Sequence, residues 1–419
     1  MSVALISAVD PYPTDAGKKV VLAGFLDYFA DRNGPSNVHY IKIGKPPPGE
    51  FPVTLHCVPG PSSAHILRNV VTKVITGRAS MQEAFLGSRD TRAAVHRVLD
   101  DIKPRLQVYD TVRMAQYVPH GVARHQICYL DDLFSERYDR MLKAAALYPE
   151  LEVSPLGNFA EHVPHWLHPL ATHRKSQSAL LRLERAAIAR SENRVATTFG
   201  RCLLINDEEA DKLSRRTGVP VGRVQSLPPL VNVPTSARRR YQGVPVFVFI
   251  GLLSLPHNDD GLKSFLRDVW PLVLDQLPDA RLRVIGRDAR QTLLAQAAEL
   301  ADSVTVEGYV PDLDGVLNEA VALVNPLRFG SGIKLKVFEA LGRSVPVVSS
   351  RIGAEGIASG PGTGILVADD PAETADLLCS LTSPARNAEV SREAGDHFLR
   401  TYSRQAVFEA YDDAFAPPL

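Results

Sequence analysis

Short apolar runs rich in β-branched residues recur along the chain, separated by segments of helix length. The first half holds VALISAV (3–9), VHYIKIG (38–44), LQVYDT (106–111), HQICYLDD (125–132) and VATTFG (195–200). The second holds VFVFIG (246–251), LRVIGR (282–287), VTVEGY (304–309), AVALVN (320–325), VPVVSS (345–350) and GILVA (364–368). Runs apolar on both faces that alternate with helices predict parallel sheets covered on both sides. Between the two series lies LPPLVNVPTSARRRYQGVP (227–245), which is rich in proline and basic residues and lacks periodicity. It reads as a connector. The expected class is therefore α/β, with two doubly wound, Rossmann-like domains facing a central cleft. The first spans residues 1–226 and the second 246–390. The helical segment 391–419 either continues the second domain or crosses back to the first.

With 419 residues, 45% of them hydrophobic, the chain can build two or three cores. Its 47 basic and 47 acidic residues balance, which argues against a nucleic-acid partner. Cys57, Cys128, Cys202 and Cys379 show neither a disulfide framework nor metal-ligand spacing, and most are expected to be small buried residues. The opening MSVALISAVDPYP lacks a basic flank and a cleavage site, and no run approaches the roughly 18 apolar residues of a membrane span. A cytoplasmic location is expected.

In open α/β sheets ligands bind beyond the carboxyl ends of the strands. After the first strand, Gly17 opens a helix with Lys18 and Lys19 in its first turn. Cations there oppose the helix dipole, so the stretch is either a solvated helix start or a place for an anion. After HQICYLDD, Asp132 or Ser135 caps the next helix, or Asp131 or Asp132 binds sugar hydroxyls or assists an acceptor hydroxyl. After VFVFIG, Gly251 makes a tight exit, and Asn258 or Asp259 is expected to cap a helix, with His257 on the surface. Arg287 follows the next strand.

The most informative stretch is NPLRFGSGIKLKVFEALG (325–342). Gly330 and Gly332 flank Ser331, Arg328 precedes them, and Lys334 and Lys336 lie beside the start of a helix that Gly342 is expected to end. Three cations at a positive helix end call for a counter-anion, for which free N–H groups supply a site, or else the stretch is a structural glycine turn with surface lysines. Glu339, read as about two turns into the helix, is placed to accept hydrogen bonds from a ribose diol, or is an exposed helix glutamate.

These residues resemble the retaining glycosyltransferases of family 4, of GT-B fold, in the branch with a GSG-x-[KR]-x-K-x-x-EA core. The core here is GSGIKLKVFEALGRSVPVV, followed by SSRIGAEGI. LDDLFSERY, FIGLLSLPHNDDGLKSF, GRDAR and TYSRQAVFEAYDDAF are similar as well, so the resemblance spans nearly the whole chain. It implies a nucleoside-diphosphate sugar donor on the second domain and a hydroxyl acceptor (a glycan, a lipid-linked or a small molecule) on the first, with no metal or other cofactor. Residues Gly332, Ile333, Lys334 and Leu335 match the family's backbone cradle for the donor phosphates. Gly17 matches its first-domain glycine loop, and Glu339 matches the ribose-binding second glutamate of E-x7-E. Ser331 stands where the first glutamate of that motif is found. Leu252, Leu253 and Asn258 stand near the usual arginine and lysine, whose work falls to Lys334, Lys336 and Arg328. The histidine that many members carry near the donor sugar has no match, and Asp131 or Asp132 occupies the comparable strand end. Two rival readings are a GT-B nucleotide-sugar epimerase and a non-catalytic nucleotide-binding protein. Absence of GxGxxG after the first strand argues against a dinucleotide dehydrogenase. HILRNVVTKVITGR (65–78) and NFAEHVPHWLHPLATHRK (158–175) are either acceptor-side helices or weak peripheral membrane contacts.

Overall fold

The computed structural model describes residues 1–14, 16–74, 76–119, 126–147, 174–233, 241, 243–330, 332 and 334–416. The chain divides into two units: residues Met1–Leu230 with Phe408–Leu419, and residues Val231–Val407.

Unit 1 is built on a seven-stranded sheet: β1 (Val3–Ser7), β2 (Val38–Ile43), β3 (Thr54–Val58), β4 (Leu106–Asp110), β5 (Gln126–Asp131), β6 (Arg201–Leu204) and β7 (Val224–Ser226). Their order is β3-β2-β1-β4-β5-β6-β7, and every pair is parallel. Leu5 lies level with Tyr40 on one side and Val108 on the other. All five residues of β1 are buried, as expected for a central strand with helices on both faces.

Unit 2 has six parallel strands: β8 (Val246–Ile250), β9 (Arg281–Ile285), β10 (Val304–Gly308), β11 (Ala322–Asn325), β12 (Val347–Ser349) and β13 (Ile365–Val367), in the order β10-β9-β8-β11-β12-β13. Phe247, Val248 and Phe249 of β8 are fully enclosed. Each such side chain contributes roughly 1.5–3 kcal/mol relative to exposure. Trp270 caps this core edge-on to Phe247 and donates its indole N–H to Ser303 Oγ at 3.0 Å. Both sheets reverse their winding once, between β1 and β4 in unit 1 and between β8 and β11 in unit 2. Those reversals put crevices at the strand ends that enclose them.

The apolar run VATTFG does not form a strand. Val195 and Ala196 are buried at the end of the long helix Arg174–Thr198, and the Thr197 and Thr198 hydroxyls donate back to the Asn193 and Arg194 carbonyls. The strand comes next, at β6. A run this short has no periodicity to separate helix from strand. Strands β3 and β7, at the two edges, also escaped the pattern. Of the four cysteines, Cys128 and Cys202 are buried, Cys379 is half-buried and Cys57 is exposed.

The chain's last helix, Arg404–Phe415, carries residues 408–415 into unit 1. There Tyr411 and Phe415 meet Phe25 edge-on at 5.2 and 5.4 Å between ring centroids, and Asp412 accepts from Tyr28 Oη at 2.8 Å. Among the described residues no helix is long and apolar enough to cross a membrane.

Candidate functional site

In unit 2 the loops after β8 and β11 flank the sheet's reversal point, and most of the expected donor-site residues lie on them. The helix after β8 is Pro256–Asp268. It starts earlier than expected: Leu255 occupies the cap position and Pro256 the first turn, so neither Asn258 nor Asp259 caps it. Asn258 instead lies inside, 3% exposed. Its amide donates to the Leu252 carbonyl at 3.0 Å and its Oδ1 accepts from Lys336 Nζ at 2.9 Å. Gly251 is needed here, because a Cβ would come within 2.8 Å of the Asn258 amide.

The loop after β11 turns on Gly330 (φ 130°) and Gly332 (φ 79°), backbone shapes that side chains disfavour. Ser331 and Ile333 lie outside the described residues. The following helix, Leu335–Gly342, has no side-chain cap and no acidic residue in its first turn. Its first N–H groups and its dipole therefore face the loop uncompensated by a carboxylate of its own. Lys334, buried at the cap position, donates to the Gly332 carbonyl at 2.7 Å. Lys336 also sends its ammonium over the Phe249 ring, 4.2 Å from the centroid. Burial, then repulsion from Lys334, lowers the Lys336 pKa to about 7. His257 is half-buried rather than on the surface, and burial, Lys336 and Lys334 lower its pKa to about 4. Its Cβ lies 3.6 Å from where a Cβ at Gly330 would be, so the two loops touch.

Arg328 pairs its guanidinium with Asp260 at 2.8 and 2.5 Å. Arg287, exposed after β9, stacks its guanidinium 5.9 Å from the Tyr309 ring. Glu339 is the fifth residue of its helix, one turn in rather than two. Arg343 holds its Oε2 at 2.5 Å. Gly342 does not cap the helix either. Arg343 does, and Gly342 is required because a Cβ would meet Val233 at 2.6 Å. A further polar cluster closes the end of β11. Fully buried Asn325 donates to Ser349 Oγ at 3.2 Å and the Gly353 carbonyl at 2.9 Å, and its own Oδ1 has no partner. A single asparagine at a strand end gave no signal for this.

Unit 1 resolves its own cations differently. Gly17 begins the helix Gly17–Asn33 as expected. The anion that Lys18 requires is supplied by the protein. Its ammonium pairs with Asp110 at the end of β4, lies 3.6 Å from Asp131 Oδ2, and sits 4.1 Å over the Tyr129 ring. Asp110 also accepts from Ser7 Oγ at 2.6 Å. Asp131, at φ 73°, accepts from Tyr129 Oη at 2.7 Å. Asp132 turns the other way and binds Arg137 at 2.9 and 2.5 Å, while Ser135 donates to Glu192 at 2.5 Å. Asp132 and Ser135 are thus committed to packing within unit 1.

Residues 244–383 match the family model described as glycosyl transferases group 1. The chain is 25% identical over 238 residues to an uncharacterized 44.6 kDa protein in the cps region of Klebsiella pneumoniae, covering 54% of this chain and 59% of that one. It is 27% identical over 206 residues to the phosphatidyl-myo-inositol mannosyltransferase of Mycobacterium leprae, covering 47% and 51%. The matches thus span little more than half the length of these curated relatives. Among solved structures, the Anabaena protein HepE, crystallised with UDP, superposes over 99% of each chain with a TM-score of 0.61 at 13% identity. The two parallel-sheet units are those of the GT-B fold. Both loops of the unit 2 site lie within the segment that matches the model for glycosyl transferases group 1.

Proposed function

We propose that the protein is a retaining glycosyltransferase that moves a sugar from a nucleoside-diphosphate sugar to a hydroxyl acceptor without a metal ion. One observation carries the reading. Lys336 and Lys334 converge where the two switch-point loops of unit 2 meet, beside an uncapped helix start, and the direct partner of the Lys336 ammonium is the neutral Asn258 amide. A cation held against desolvation beside neutral and apolar groups is suited to receive an anion. The match to glycosyl transferases group 1, and a neighbour of the same fold crystallised with UDP, support reading that anion as a donor diphosphate.

In this reading the glycosyl C1–O bond to the β-phosphate breaks while the acceptor oxygen bonds to C1 from the same face. The acceptor proton passes to an oxygen of the departing phosphate. Lys334, Lys336 and the N–H groups around Gly330, Gly332 and Leu335 stabilise the negative charge that grows on the diphosphate. Glu339, steadied by Arg343 through one oxygen, offers the other to the ribose hydroxyls, and Arg287 with Tyr309 borders the nucleotide. Ser331 and Ile333, also expected in the phosphate loop, lie outside the described residues. In unit 1, Asp131 is the carboxylate assigned to the acceptor, and Lys18, at the start of the helix that Gly17 opens, lies 3.6 Å from it.

Thermal-shift titrations with UDP, GDP, ADP and dTDP test the reading. The matching nucleotide stabilises the protein by about 2.7 kcal/mol at a concentration of 100 Kd. A flat response to all of them overturns it.

A further inference from the structure

We propose that unit 1 carries a second anion site, separate from the donor lysines, that holds the phosphate group of a phosphate-bearing acceptor; the assignment of that ligand as the acceptor rests on the glycosyltransferase reading above. The site is a cavity of about 390 Å³ between the helix Ser63–Asn69, its continuation Val70–Val74, and the start of the helix Arg89–Ile102. A space of that size suits a small phosphorylated sugar or a headgroup.

Its walls are strongly one-sided in charge. Arg68 and Lys73 come from the first wall, Arg89 and Arg92 from the second. Among the described residues none of these four takes part in an ion pair. Other arginines of unit 1, such as Arg97 and Arg105, also lack a carboxylate among the described residues; what distinguishes these four is that they line one cavity. The lone carboxylate lining the cavity, Asp90, is 83% exposed and faces His65 at 4.0 Å. Four unpaired cations around one concavity repel one another unless an anion enters.

The cavity is also built rather than incidental. Buried Asn69 donates to the Ala84 carbonyl at 3.0 Å and the Gly87 carbonyl at 2.6 Å, which ties the two walls together. Gly87 admits no side chain, since a Cβ would sit 2.7 Å from Gln116 Oε1 and 2.9 Å from the Glu83 carbonyl. Gln116 is itself fixed by the Glu83 and Arg113 carbonyls. Ser88 caps the second helix, so its positive end also faces the cavity mouth. In a parallel α/β sheet the helix that precedes β4 starts at the carboxyl ends of the strands, where ligands bind. The phosphate source is open to two chemistries, a soluble phosphorylated acceptor or a lipid headgroup. Leu67 and Val71, 42% and 52% exposed on the same helical stretch but outside the cavity's lining, are the apolar neighbours a lipid would use.

The test titrates glycerol 3-phosphate, with glycerol as the neutral control, into protein first saturated with its nucleoside diphosphate so that the donor site is filled. Saturable binding of the phosphate ester alone is expected. Arg89→Ser/Arg92→Ser and, from the opposite wall, Arg68→Ser/Lys73→Ser each weaken it by at least about tenfold, as loss of charge-assisted hydrogen bonds does. Flotation with vesicles containing phosphatidylglycerol, against phosphatidylcholine alone, then distinguishes the sources. Capture that both double variants abolish assigns the phosphate to a lipid, and no capture assigns it to a soluble acceptor. Equal binding of glycerol and its phosphate, or binding unchanged in both variants, overturns the proposal. A retained nucleotide-induced thermal shift in those variants shows that the donor reading stands even then. Absence of any nucleotide-induced shift in the wild-type protein, with glycerol 3-phosphate still bound when no nucleotide is present, shows the reverse.

Discussion

Each unit brings a lysine to the reversal point of its sheet, and the two are treated in opposite ways. Lys18 in unit 1 lies between Asp110 and Asp131, with a buried serine completing the hydrogen bonding. Lys336 in unit 2 has an amide oxygen and an aromatic face. The same topology thus yields a closed ion pair in one half and a charge awaiting a partner in the other. Position in the fold marks where a ligand can bind; local charge balance decides whether one is needed.

The largest expected effect breaks the closed side. Asp110→Ala leaves Lys18 buried with a more distant carboxylate, and unit 1 loses about 3 kcal/mol in a denaturant titration. A loss below about 1 kcal/mol would mean that Asp131 alone compensates Lys18. Next comes the open side. Lys336→Ala lowers turnover by at least about 100-fold, close to 2.7 kcal/mol of transition-state stabilisation. Its ligand-free stability does not fall, because the substitution removes a charge that burial disfavours. Near-normal turnover in the folded variant would remove Lys336 from the assigned role.

The third prediction uses pH. Lys336 titrates near 7 in the folded protein against 10.5 when unfolded. Between those values the unfolded chain binds the extra proton, so ligand-free unit 2 gains stability as pH rises from about 7 towards 10. Nucleotide binding runs the other way, since an anion favours the protonated form. Affinity for the diphosphate falls by up to about tenfold per unit above pH 7. Calorimetry on Lys336→Gln checks this, since that part of the slope should vanish. The smallest effect lies in unit 1. Burial raises the Glu184 carboxyl, which accepts from the Met81 and Gln82 amides, to about 7. Its contribution is present below about pH 4.5 and lost as pH rises to 7, a slope of about 1 kcal/mol per unit that Glu184→Gln flattens.

Strand periodicity was enough to place β1, β2, β4, β5 and all six strands of unit 2, because fully buried parallel strands leave continuous apolar runs. It failed at VATTFG, where a helix end carries the same composition, and at the short edge strands β3 and β7. The GSG loop and its lysines were legible from type and spacing. Their partners were not: Asn258 lies 78 residues from Lys336, and Asp110 92 residues from Lys18. Charge compensation at such separations is decided by strand order, which no local pattern encodes. That is why the Asp260 partner of Arg328 was not legible, and why His257 looked exposed and is half-buried.

The aromatic cluster of Phe25, Tyr28, Tyr411 and Phe415 has a consequence for synthesis. Domains that fold as the ribosome releases them complete in order from the amino terminus. Unit 1 cannot follow that order, because part of its core arrives only after the whole of unit 2 has been made. Its helix Gly17–Asn33 waits through about 380 further residues with an apolar face uncovered, counted from Tyr28 to Asp412 at a separation of 384. A nascent chain stalled before residue 408 would therefore present that face to chaperones, with unit 2 already folded.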